Sequence, residues 1–261
     1  EWGRLFGAYF GSRSRLDTVD AVLCVGFSEY EKARDALGKE RVHFLPNGVY
    51  PQRFQSSNEE RMAKRTELGF ASGDFVFGCI SRLDPQKDQL LLIEAFNHLS
   101  TKHPNLGLVL CGPHTNAAYV SRLEAALEAS PAAARIRLLP PVVPDTPDHR
   151  NLFAALDCFT LPSRHEPFGI VVLEAWSAGK PVIASKIGGL ASLVRHESNG
   201  LHFKPGDVNS LIDSMERMIA EPDFCTASVE TAQAEVNERY TWTSITAQLE
   251  SIYQQVESKY T

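Results

Sequence analysis

A chain of 261 residues with 43% hydrophobic and 22% charged side chains carries enough apolar material for a substantial core, as one large soluble domain or two. Its net charge of −6 argues against nucleic acid or a generally anionic membrane surface as a partner, although local basic residues can still hold phosphate. No apolar run is long enough to span a membrane and no secretory leader is recognisable. Five scattered cysteines (Cys24, Cys79, Cys111, Cys158 and Cys225) lack metal-ligand spacing and fit buried thiols in a reducing compartment.

In chain order, Trp2, Leu5, Phe6, Tyr9 and Phe10 fall on one helical stripe, with Arg4 opposite and Arg13 and Arg15 just beyond. The pattern fits a membrane-surface helix or a helix packed on a sheet, and sheet packing is the expected one. Val19 to Val25 reads as a strand, Ser28 to Leu37 as a helix, and His43 to Leu45 as a second strand leading into the Asn47-Gly48 turn. Residues 51–74 are polar, a linker with a short helix.

From Phe75 onward, strands and helices alternate, which predicts a parallel sheet covered on both faces. The expected strands are Phe75–Ile80, Gly107–Cys111, Ile136–Leu139, Cys158–Leu161, Pro181–Ala184 and Leu201–Phe203. The helices between them include Asp88–Leu99, Ala118–Ala129 and Val208–Ala220, and the stripe Trp242, Ile245, Leu249, Ile252, Tyr253 and Val256 closes the chain.

The chemistry concentrates between Ser163 and Ser177. After the Cys158–Leu161 strand, Ser163 to Gly169 is a loop in which Pro167 biases Glu166 to an extended backbone and Gly169 permits close approach of a ligand. Ile170 to Ser177 then reads as a helix whose start faces the loop with unpaired N–H groups, a natural phosphate or diphosphate site. Glu166 lies in the loop, and Glu174 one turn into the helix, where it can accept hydrogen bonds from a ribose diol. Taken singly, Glu166 reads as a first-turn carboxylate favoured by the helix dipole and Glu174 as a solvated helix residue. Among Val171, Val172, Leu173, Ala175 and Trp176, however, an unpaired charge is costly.

The Glu166–Glu174 segment resembles the Glu-x7-Glu motif of retaining family 4 glycosyltransferases of the GT-B type. Leu45-Pro46-Asn47-Gly48-Val49 followed by Phe54 is similar to the family's interdomain segment, and Ile80 to Asp88 to its Arg-Leu…Lys loop. Ile187-Gly188-Gly189, Asn199-Gly200-Leu201 and Tyr240-Thr241-Trp242 resemble later landmarks, so the likeness runs from about Val19 to Val256 in the family's order.

The resemblance implies an α/β fold, a Rossmann-like parallel sheet with helices on both faces, forming the C-terminal half of a GT-B enzyme. It divides the chain into a remnant of the N-terminal acceptor domain (1–45), an interdomain linker (46–74), a nucleotide-sugar-binding domain (75–222) and C-terminal helices crossing back (223–261). The chain begins with Glu1 rather than methionine, and the expectation is a donor half excerpted from a longer polypeptide. Activity of such a half alone is open.

The implied reaction transfers a hexose from a UDP- or GDP-sugar to a hydroxyl acceptor, a saccharide or a lipid-linked one. Arg82 and Lys87 then stabilise the leaving diphosphate, and Glu166 holds sugar hydroxyls near the anomeric carbon. Glu174 holds the ribose, and Phe168, Gly169 and Ile170 present backbone N–H groups. Gly188 and Gly189 form a tight turn at the site, and Val142 meets the base. Phe168's ring is expected in the core.

His114 and His165 are expected to be structural or solvent-facing. No metal or resident cofactor is called for, only the nucleotide-sugar substrate. The expected location is cytoplasmic, with the inner membrane face as a second option through the N-terminal stripe. Two departures from the family are Leu139-Pro140-Pro141-Val142, where glycine usually precedes the base-binding turn, and Ser192, where glutamate is common. The alternatives are a nucleotide-sugar-binding module inactive alone, and a same-fold sugar phosphorylase or epimerase.

Overall fold

The computed structural model describes residues 19–258, so the N-terminal stripe from Trp2 to Phe10 lies outside the described residues. Strand β1 (Val22–Cys24), helix α1 (Phe27–Leu37) and strand β2 (Val42–Phe44) form a small unit with a two-stranded parallel sheet. The strand expected from Val19 to Val25 is only three residues long, because β2 offers a matching ladder only from Val42 to Phe44. A 3-10 turn (Pro51–Phe54) and α2 (Asn58–Glu67) fill the polar stretch that follows.

The main sheet consists of β3 (Phe75–Ile80), β4 (Leu106–Cys111), β5 (Ile136–Leu139), β6 (Cys158–Leu161), β7 (Val182–Ser185) and β8 (Leu201–Phe203). All are parallel, in the order β5-β4-β3-β6-β7-β8. Every residue of β4 and β6 is buried, and of β3 only Phe75 is not fully so. Such unbroken apolar runs occur where helices cover both faces of a sheet.

The helices are α3 (Gln89–Ser100), α4 (Ala117–Glu128), α5 (Pro147–Ala155), α6 (Ile170–Ser177), α7 (Leu190–Leu193), α8 (Val208–Ala220), α9 (Pro222–Arg239) and α10 (Trp242–Glu257). Helix α3 packs on α4 and α8, while α2 packs on α5 and α6 on α9. Helix α10 meets the small N-terminal unit, with Gln248 Nε2 donating to the Phe44 carbonyl at 2.9 Å. Just before it, Val49 N donates to the Tyr240 carbonyl at 2.8 Å.

The strand order fixes where a ligand can sit. From β3 the chain winds outward through β4 to β5, then returns to place β6 on the other side of β3 and winds away through β7 to β8. The loops after β3 and β6 therefore diverge, and open parallel sheets bind ligands in the crevice at such a switch point. Arg82 and Lys87 belong to the first loop and Glu166 to the second.

The helices of the chain start in two ways, with and without a side-chain cap. Ser57, Asn116, Thr146, Asp207 and Thr241 cap α2, α4, α5, α8 and α10 with side-chain oxygens. Helices α3 and α6 begin at Asp88 and Gly169, both left-handed (φ 51° and 101°) and neither giving a side-chain cap. Asp88 thus precedes the helix it was expected to open.

Candidate functional site

The site grows from the β6–α6 connection. Gly169 needs its positive φ to turn the chain into α6, and a Cβ there would stand 2.7 Å from Leu190 Cδ2. Behind that turn, Val172, Leu173, Ala175 and Trp176 are buried, with Trp176 fully enclosed. Their packing fixes the axis of α6, so its unpaired first N–H groups point at the switch-point crevice.

Glu166 is held at both ends. Its carbonyl accepts from Gly189 N at 2.8 Å, and its carboxylate accepts from the Lys87 ammonium in a short ion pair. Both residues are 9% exposed, which makes this a nearly buried charge pair bridging the two diverging loops. Gly188 lies so close beneath that a Cβ would come within 2.3 Å of the Glu166 carbonyl oxygen, at a φ of 49°. Phe168 turns its ring into the core, 6.1 Å from the Tyr240 ring, as expected.

Beside this pair opens a cleft of about 250 Å³, lined by Arg82, Gly112, Val142, His149, Ile170 and Glu174 among others. Arg82 is exposed, and no carboxylate among the described residues pairs with it. Glu174 is half-buried and likewise unpaired. Burial pushes the Glu174 carboxyl up to about 7, and repulsion from Asp145 adds to the shift.

The sequence-predicted residues thus fall into two adjoining groups. Arg82, Val142, Ile170 and Glu174 line the cleft. Lys87 and Glu166 form the pair, with Gly188 and Gly189 packed against the segment that carries Glu166. Arg82 and Lys87, expected to act side by side, are separated in role: Lys87 is committed to Glu166 while Arg82 faces the cleft. Two neighbouring aspartates form an ion pair with neither cation. Asp84 accepts from Gln86 N at 2.9 Å, and Asp88 accepts from Arg164 Nε at 2.7 Å. His114 and His165 are exposed, and neither lines the cleft.

Sequence reasoning missed His149. It is buried against Phe54 and Phe153, with ring centroids at 5.7 and 5.3 Å, and it borders the cleft. Burial lowers its pKa, and Asp145 and Asp148 partly oppose the shift. Thr146-Pro147 is a helix-start signature and could have placed His149 in the first turn of α5. Among the described residues no group of three or more His, Cys, Asp or Glu could hold a metal ion.

Residues 60–235 match the sequence profile of glycosyl transferases group 1. The chain belongs to this glycosyltransferase family. An uncharacterised glycosyltransferase of Methanocaldococcus jannaschii is 30% identical over 217 residues, covering 82% of this chain and 54% of that protein. A GDP-mannose-dependent monoacylated alpha-(1-6)-phosphatidylinositol monomannoside mannosyltransferase of Corynebacterium glutamicum is 28% identical over 262 residues, covering 97% of this chain and 67% of that protein.

Among solved structures, Anabaena HepE in complex with UDP and glucose superposes with a TM-score of 0.81 at 28% identity, covering 90% of this chain and 63% of HepE. The chain therefore spans about half to two thirds of the length of these relatives. Ser192 is exposed on α7. No described helix is long and apolar enough to cross a membrane.

Proposed function

We propose that this chain is the donor-binding part of a retaining glycosyltransferase that takes a hexose from a nucleotide-diphosphate sugar and passes it to a hydroxyl acceptor. The observation that carries this reading is Glu174. Its carboxylate is half-buried, unpaired and costly to ionise, yet it opens into the same cleft as Arg82, beside an uncapped helix start. A ribose diol and a diphosphate are groups that would relieve those unmet interactions together.

In this reading Glu174 accepts from the ribose hydroxyls, and Val142, Pro144 and His149 enclose the base. The diphosphate lies across the start of α6, with Arg82 supplying positive charge. Lys87 adds charge as the bond from the anomeric carbon to the diphosphate oxygen breaks and negative charge grows on the leaving group. Glu166, freed in part from Lys87, holds sugar hydroxyls. The acceptor oxygen bonds to the anomeric carbon from the leaving-group face, and its proton passes to the departing phosphate oxygen.

HepE was solved with UDP, with UDP and glucose, and with UDP-glucose, and the Corynebacterium relative is named for GDP-mannose. A UDP- or GDP-hexose is accordingly the donor class we assign, with a saccharide or lipid-linked hydroxyl as acceptor, bound chiefly by an N-terminal domain. Residues 1–45 would be a remnant of that domain, 46–74 a linker, 75–222 the donor domain, and 223–261 the helices returning to it. The unpaired cysteines agree with a cytoplasmic location, and the stripe from Trp2 to Phe10 would supply any contact with the inner membrane face.

Proton NMR of the glycoside formed when the full parent polypeptide transfers sugar from an α-linked donor to a saccharide acceptor tests the stereochemistry. An α linkage in the product supports retention. A β linkage refutes it.

A further inference from the structure

Two residues outside the proposed donor contacts join the same loops that carry Lys87 and Glu166. Arg164 N donates to the Gln86 carbonyl at 2.7 Å, and Arg164 Nε donates to Asp88 Oδ2 at 2.7 Å. Each contact lies within two residues of a member of the Lys87–Glu166 pair. The two loops are thus tied by one backbone bond and two ion pairs, with Lys87 between the two anchor points on its own loop.

Asp88 is an unusual residue for its place. It is 7% exposed and left-handed at φ 51°, a conformation that strains an L residue and that glycine adopts freely. It opens α3 without capping it, so its side chain is not kept for that role. Burial raises the Asp88 pKa, and the Arg164 guanidinium and the more distant Arg122 oppose the rise. The Arg164 side chain passes near Gly206 but stays 59% exposed, so its hold on the loops is the pair with the buried Asp88.

We propose that Arg164 and Asp88 are positioning residues, a brace that holds the β3–α3 and β6–α6 loops in the register that brings the Lys87 ammonium to the Glu166 carboxylate. What the brace positions those groups for rests on the donor reading above. Neither residue touches the cleft, so the nucleoside end of the ligand does not depend on it. The diphosphate and sugar end does, through Lys87 and Glu166.

The test uses Arg164→Gln, Asp88→Asn and Arg164→Lys, with thermal melts confirming that each is folded. The first readout is the Lys87 ammonium signal in proton–nitrogen NMR, assigned by its loss in Lys87→Arg. It should be visible in the parent chain, lost in Arg164→Gln and Asp88→Asn, and at least partly restored in Arg164→Lys. The second is calorimetric affinity for UMP, UDP and UDP-glucose and for the GMP, GDP and GDP-mannose series. Monophosphate affinity should stay within about twofold while nucleotide-sugar affinity falls about tenfold, a loss of about 1.4 kcal/mol.

An ammonium signal that survives both Arg164→Gln and Asp88→Asn overturns the brace. So does an equal loss across mono-, di- and sugar nucleotides. A signal lost in both variants, with no nucleotide bound by the parent chain, upholds the brace and overturns the donor reading instead.

Discussion

The Lys87 ammonium and the Glu166 carboxylate meet across the point where the sheet reverses its winding, each 9% exposed and each on a different one of the two diverging loops. Charges this enclosed are tolerated because they neutralise each other, and removing one leaves the other stranded. Lys87→Met and Glu166→Leu should each destabilise the fold by about 2–4 kcal/mol, lowering the melting temperature by roughly 5–12 °C. The double variant should recover much of that loss while nucleotide-sugar binding stays abolished. Thermal melts and a double-mutant cycle measure both effects.

Glu174 makes stability and binding depend on pH in opposite senses. Its folded pKa is raised to about 7 from the ordinary 4.5, so between those values the folded state binds more protons than the unfolded one. The contribution of Glu174 to stability is fully present below pH 4.5 and is lost as pH rises through about 7. Glu174→Gln should therefore stabilise the unliganded protein at pH 8 by about 2 kcal/mol and have little effect at pH 4.5. Nucleotide binding favours the carboxylate, so affinity should fall as pH drops below 7, and calorimetry in buffers of different ionisation enthalpy should show proton release near neutrality.

Asp145 sets part of that shift. It repels the Glu174 carboxylate and is itself left-handed at φ 62°, a conformation asparagine also accepts. Asp145→Asn should lower the pH midpoint of nucleotide binding. Its partner Arg53, at 2.6 Å, is a surface contact, so the stability cost should stay below about 1 kcal/mol. A pH–affinity profile of the variant tests the coupling.

Gly188 lies under Glu166. A side chain at its φ of 49° is strained and would stand 2.3 Å from the Glu166 carbonyl oxygen, which is backbone and cannot swing aside. Gly188→Ala should cost roughly 2–4 kcal/mol and weaken nucleotide-sugar binding more than nucleoside monophosphate binding. Equal weakening of both would show that Glu166 does not set the sugar end.

Much of this architecture was legible in the chain. Strands β3, β5, β6 and β8 and helices α6 and α8 have the bounds their sequence predicts, because unbroken apolar runs and a single apolar helical face leave few alternatives. Helix α5 was not among the helices expected from the sequence, and His149 was missed with it. The commitment of Lys87 to Glu166 was hidden for a different reason. Residues 79 apart pair through the reversal of strand order, and no local period encodes that reversal. Arg164 and Asp88 were hidden in the same way, 76 positions apart.

In the proposed complex Glu174 and Arg82 hold opposite ends of one nucleotide diphosphate. Calorimetry of UDP, GDP and ADP and their common sugars, with Glu174→Ala and Arg82→Ala alongside, tests it most directly. We expect selective binding of a uridine or guanosine diphosphate, weakened about tenfold or more by either substitution. Binding that ignores both substitutions, or a folded chain that binds none of these nucleotides, would contradict the claim.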